Sequence, residues 1–215
     1  MSDQTLLSLH SLGFERDDVL LFSGVSLDVC AGTIWQVLGP NGVGKTTLIR
    51  ILATLLIPTQ GELRWKGKPL SRARQQYLSN LLYIGHSQGV KPGLTPVENL
   101  NWWAGLQGFR NLDTESVFEQ IGLSGYQDSP CYQLSAGQLR RVALCRMLVS
   151  DAPLWILDEP FTAIDKQGVQ LLEGLLDEHA SKGGAVIFSS HQDMSKENIR
   201  QLNLLNYCAS LSGDA

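Results

Sequence analysis

The chain has 215 residues, 43% hydrophobic and 18% charged, a balance that supports a folded core and excludes a disordered or collagen-like chain. The 17 Lys and Arg against 21 Asp and Glu leave a net charge of −4, the opposite of the clustered cations that nucleic-acid phosphates require. No apolar run approaches the roughly 18 residues needed to cross a bilayer, and Met1–Thr5 lacks the basic and apolar regions of a signal peptide, so the chain is expected to stay in the cytosol.

In chain order, β patterns fall at Thr5–Leu9, Val25–Val29 and Thr33–Leu38, the last running into glycine. A helix is expected from near Lys45, with Leu48, Ile49, Ile51, Leu52, Leu55 and Leu56 as its apolar positions and Pro58 as its stop. Gly61–Lys68 reads as a hairpin turning at Gly67, followed by a polar segment. Helical patterns follow at Thr95–Gly105, Thr114–Ile121 and Gln138–Ser150. Short buried strands return at Leu154–Asp158 and Ala185–Ser190, separated by an amphipathic helix over Lys166–Ala180 that Gly183-Gly184 ends. A last strand is expected near Leu202–Leu205.

Strands alternating with helices predict an α/β fold with a mostly parallel sheet. Residues 1–215 are expected to form a single domain with a helical insert at about 89–150. Cys30, Cys131, Cys145 and Cys208 have no metal-ligand spacing and are expected to be reduced thiols. Trp102 and Trp103 are adjacent and cannot share a helix face, so one is expected in the core and one at a rim or a partner surface.

Three segments carry chemistry. Gly39-Pro40-Asn41-Gly42-Val43-Gly44-Lys45-Thr46 fits GxxxxGK[ST] between a strand and a helix. Its glycines let backbone N–H groups wrap a phosphate, Lys45 reaches the β- and γ-phosphates of a nucleotide, the Thr46 hydroxyl is placed for Mg²⁺, and Thr47 adds a phosphate contact. Leu154–Glu159 is an apolar strand ending in two carboxylates: Asp158 is placed to orient Mg²⁺ and Glu159 to act as general base. Leu134-Ser135-Ala136-Gly137-Gln138 contains S-x-x-Q, a helix capping box. Ser135 and the Gly137 N–H also present an anion site there, which makes sense if a second copy brings its cap to the first copy's nucleotide.

These segments, in this order and spacing, resemble the ABC-type ATPases, with Ala136 standing where the family's LSGGQ signature has glycine. The resemblance covers nearly the whole chain. Thr162–Asp165 is similar to the family's D-loop and His191 to its switch histidine. It implies a P-loop NTPase fold with an antiparallel β subdomain and an inserted helical one, and it implies ATP and Mg²⁺. It also implies a dimer that sandwiches two ATP molecules: Lys45, Thr46, Asp158, Glu159 and His191 act from one copy, Ser135, Gly137 and Gln138 from the other. Two positions stay open. The family's glutamine nine residues before the LT-x-x-EN-L threonine is His86 here, with Gln88 two residues on, and either could fill the role. Phe14, 25 residues before Gly39, either stacks on adenine or packs in the core.

Within that superfamily, Phe14–Asp17, Val19–Gly24, Leu82–His86, Val90–Thr95 and Ile156–Asp165 resemble the ATP-binding subunits of cytochrome c maturation (haem exporter) complexes. That implies integral membrane subunits as partners, a haem chaperone as an indirect one, no nucleic acid, and a peripheral location on the cytoplasmic face of the inner membrane. The ATP-driven step would export haem or release the haem-loaded chaperone. The alternative is the ATPase of another small exporter or lipoprotein-release system. Chromosome-type ATPases need a long coiled coil between phosphate loop and signature, and only 88 residues separate Lys45 from Leu134.

Overall fold

The computed structural model describes residues 4–87, 89–108, 112–191, 194 and 196–208. The elements are β1 (Thr5–Arg16), β2 (Val19–Cys30), β3 (Ile34–Leu38), α1 (Lys45–Leu52), β4 (Gln60–Trp65), β5 (Lys68–Pro69), α2 (Leu70–Leu78), β6 (Leu81–Ile84), α3 (Pro96–Gln107), α4 (Thr114–Gln120), α5 (Ala136–Val149), β7 (Leu154–Leu157), α6 (Lys166–Ser181), β8 (Ala185–Ser189) and β9 (Ile199–Asn203), with 3-10 turns at Cys131–Gln133 and Leu204–Tyr207.

The chain divides into two compact units. The first holds residues 1–83, 152–160 and 179–215. It contains a four-stranded antiparallel sheet in the order β2-β1-β4-β5, and a sheet in the order β6-β7-β8-β3-β9 whose β7/β8, β8/β3 and β3/β9 pairs are parallel. Both sheets and α1 share one core, from Leu7, Leu12, Phe22 and Trp65 through Leu48, Ile49 and Leu52 to Ile156, Ile187 and Leu202. β7 and β8 are buried along their whole length, as parallel strands covered on both faces must be.

The second unit holds residues 84–151 and 161–178. α3 begins at a capping box between Thr95 and Glu98, with Pro96 in its first turn, and ends at Gly108 in the left-handed conformation. Asp113 caps α4. Leu100, Ala104, Phe118, Ile121, Leu144 and Cys145 are buried in this unit. Trp103 is half-buried and Trp102 exposed, with the Lys91 ammonium 4.2 Å from the Trp102 ring centroid.

Several elements depart from the sequence expectation. β1 and β2 form one long hairpin through Asp17 and Asp18, whose φ values of 52° and 60° are the two positive angles a type I′ turn requires. α1 stops at Leu52, six residues before Pro58, because Thr54 turns left-handed (φ 57°) and the Leu55 and Leu56 N–H groups fold back onto the Arg50 carbonyl. The segment after the β4–β5 hairpin is α2, with only Ala73 and Tyr77 buried. β6 adds a strand, and the last strand lies earlier, at Ile199–Asn203. Cys30, Cys131, Cys145 and Cys208 are free thiols. No helix among the described residues is long and apolar enough to cross a membrane.

Candidate active site

In the first unit, β3 delivers the chain into the phosphate loop. Gly39 is left-handed (φ 147°), and a Cβ there would meet the Val43 side chain at 2.7 Å. Gly44 (φ 105°) caps α1, and a Cβ there would press on the Phe22 ring at 3.1 Å. Glycine is therefore required at both positions. Pro40, Asn41 and Gly42 are exposed, while Val43 and Thr47 are half-buried.

Lys45 opens α1 with only 6% of its side chain accessible. Its Nζ donates to the carbonyls of Gly39 (2.7 Å) and Pro40 (3.2 Å) and lies 4.0 Å from Glu159 Oε1. A buried ammonium needs such partners. Next to it, Thr46 Oγ1 donates to Asp158 Oδ1 at 3.2 Å.

β7 carries Asp158 and Glu159 to the same edge. Asp158 is buried and accepts from Ser189 Oγ at 2.7 Å, while the Glu159 N–H donates to that same Ser189 oxygen at 2.9 Å. Glu159 sits at φ 49°, a left-handed angle that costs a non-glycine residue about 1–2 kcal/mol. Strain of this kind persists where the surroundings fix it, and here it aims the carboxylate. Glu159 Oε2 lies 3.1 Å from Nδ1 of His191, which lies two residues beyond the end of β8 and is half-exposed. The structure thus brings Lys45, Thr46, Asp158, Glu159 and His191 together.

Phe14 pairs across β1–β2 with Phe22, the residue beneath Gly44, and is half-buried against the core, so both of its readings stand. His86 is exposed in the second unit; Gln88 lies outside the described residues.

The second unit carries the LSAGQ segment. Ser135 caps α5: its Oγ accepts from the Gln138 N–H at 3.2 Å, and Gln138 Oε1 accepts from the Ser135 N–H at 2.9 Å. The Gln138 carbonyl is thereby engaged by the cap. Gly137 lies against the loop that precedes α6, where a Cβ would sit 3.1 Å from the Ala163 carbonyl. Asp165 caps α6 through the Gly168 N–H (2.8 Å) and accepts from Arg141 Nη2 (2.6 Å). The Gly168 N–H and then Arg141 hold its carboxyl below the usual carboxylate range. Ser135, Gly137, Gln138, Arg141, Ala163 and Asp165 line an open cleft of about 640 Å³.

Two residues of these clusters escaped the sequence reading. Ser189 signals itself only as a hydroxyl at the end of an apolar strand, and Arg141 as one of several surface-spaced cations.

The ABC transporter family profile matches residues 22–162. A Haemophilus influenzae protein named cytochrome c biogenesis ATP-binding export protein CcmA is 48% identical over 211 residues, 97% of this chain and 100% of the relative. Its namesake from Hahella chejuensis is 53% identical over 196 residues, 90% of this chain and 93% of the relative. Among solved structures, a Pyrococcus furiosus ABC transporter ATP-binding protein superposes with a TM-score of 0.82 at 25% identity, covering 94% of this chain and 99% of its own.

Proposed function

The chain belongs to the ABC transporter family, in its CcmA branch of cytochrome c biogenesis ATP-binding export proteins, and from that premise we propose that it hydrolyses ATP to drive an export complex. The observation that carries this reading is the convergence of Lys45, Thr46, Asp158, Glu159 and His191 at one sheet edge.

Each residue has a physical task. The phosphate-loop N–H groups and the N-terminus of α1 favour bound phosphate, and Lys45 offers a cation that already lies in a nearly dry site. Thr46 Oγ1 and Asp158 Oδ1, 3.2 Å apart, are hard oxygen donors of the type Mg²⁺ takes alongside substrate phosphates. They would hold that ion, which supplies charge neutralisation at the β- and γ-phosphates. Glu159 takes a proton from the attacking water as the water oxygen bonds to the γ-phosphorus. The bond to the β–γ bridging oxygen then breaks, and ADP leaves with the electron pair. His191, bonded to Glu159, holds that carboxylate in line.

The other half of each site comes from a second copy, through Ser135 and the Gly137 N–H at the α5 N-terminus. His86 or Gln88 serves as the metal-sensing contact, and Phe14 is the candidate for the adenine contact. Integral membrane subunits supply the transmembrane path from the cytoplasmic face of the inner membrane. The work done is haem export or release of a haem-loaded chaperone.

The test is ATP hydrolysis by the purified chain with and without Lys45→Ala. Wild-type turnover abolished by the substitution supports the reading, and equal turnover overturns it. Co-purification of integral membrane proteins with the tagged chain tests the export assignment.

A further inference from the structure

Gln36 is out of place by composition. It stands in the middle of β3, between β8 and β9, opposite Phe188 on one side and Gln201 on the other, and it is wholly buried. A long amide in the interior of a parallel sheet is costly unless its polar atoms are engaged. Its Oε1 accepts a hydrogen bond from the Met194 N–H at 3.3 Å. Met194 lies three residues beyond His191.

On its other flank, His191 is held by β8. The Ser190 N–H donates to the Val37 carbonyl at 3.2 Å, and Ser189 pairs with Val37 in register. β3 therefore engages the chain on both sides of the histidine: at Ser190 through the Val37 backbone, and at Met194 through the Gln36 side chain. β3 is also the strand that runs into Gly39 and the phosphate loop. One strand thus fixes both the loop that binds phosphate and the segment that presents the histidine to Glu159.

We propose that Gln36 is a positioning residue for His191, its buried amide holding the backbone beyond the histidine so that the ring stays on Glu159. An apolar side chain would fill the same space but could not accept the Met194 N–H. The inference rests on the ATPase reading above.

The test is steady-state kinetics of the full-length chain, purified with the membrane proteins it retains. Gln36→Met keeps length and volume but removes the acceptor. We expect kcat to fall about tenfold with KM for ATP within about twofold, because Lys45 and the phosphate loop are untouched, and with a melting temperature no lower than wild type. In a His191→Ala background, measured by single turnover, the same substitution should cost less than about twofold, since its effect runs through the ring. Met194→Pro removes the donor from the other end and should give the same split; it decides alone if Gln36→Met does not fold. Three results would overturn the proposal: wild-type kcat in both variants, a KM that rises in step with the loss, or losses at Gln36 and His191 that multiply. Failure of the ATPase reading looks different, as wild type would then show no turnover that depends on Lys45.

Discussion

Glu159 Oε2 accepts a hydrogen bond from the Nδ1–H of His191 at 3.1 Å, which leaves Nε2 turned away from the carboxylate. A carboxylate can only accept, and this fixes which nitrogen carries the hydrogen. The pair is asymmetric in exposure: 17% of the Glu159 side chain and 50% of the His191 side chain is accessible. The carboxylate is sheltered and its partner faces the solvent side.

Glu159→Gln keeps the shape but removes the proton acceptor. Loss of a general base costs about 10²–10⁴-fold in rate, while the phosphate loop is untouched. ATP should therefore bind and stay bound, and size-exclusion chromatography with ATP and Mg²⁺ should show a dimer that wild type does not accumulate. A variant that remains monomeric with ATP bound would contradict the two-copy site.

Ser135 caps α5, and the phosphate contact proposed for it is separable from that task. Ser135→Ala should cost about 1 kcal/mol of unfolding free energy, the usual loss for an N-cap. Ser135→Asp keeps a capping acceptor, so denaturant unfolding should stay within about 0.5 kcal/mol of wild type. It also puts a negative charge where phosphate is expected, so ATP hydrolysis should collapse. Intact turnover in Ser135→Asp would reduce the residue to a cap.

His179 gives the chain a pH-dependent stability. Its ring stacks on Trp155 with centroids 3.7 Å apart and planes 9° apart, and burial pushes its pKa down to about 4. The unfolded ring titrates near 6.5, so between about pH 6.5 and 4 the unfolded state binds the extra proton. Stability is then complete above pH 6.5 and falls as the pH drops toward 4. With solvent screening at a half-buried site, the loss should be about 1–2 kcal/mol. Urea unfolding across this window should show it, and His179→Phe should flatten the slope.

Gly184 makes room for that stack. A Cβ at this position would overlap the His179 ring. Gly184→Ala should destabilise by about 1–3 kcal/mol through overpacking, and Gly184→Ala/His179→Ala should recover part of that loss. Additive losses in thermal melts would show that the clash is relieved elsewhere.

Much of this architecture was legible beforehand, for identifiable reasons. The phosphate loop, the acids after β7 and the cap of α5 are local motifs whose chemistry forces their spacing. The apolar run over Ile51–Leu56 misled because periodicity reports which residues are greasy, not where the backbone turns; Thr54 turns left-handed with no glycine to announce it. α2 stayed hidden because only Ala73 and Tyr77 are buried, too few to write a helical stripe. Ser189, Arg141 and Gln36 could not be assigned because their partners, Asp158, Asp165 and Met194, lie 31, 24 and 158 positions away and meet them only in the folded chain.

The hydroxyl of Ser189 gives a hydrogen to Asp158 and takes one from the Glu159 backbone. A single atom that both gives and takes narrows the alphabet at this position to serine and threonine. Alanine would disconnect both acids at once, and asparagine or aspartate would need space that a wholly buried strand end lacks. The end of β8 is therefore a spelling constraint on the chain as strict as the glycines of the phosphate loop, imposed by the valence of one oxygen rather than by a backbone angle.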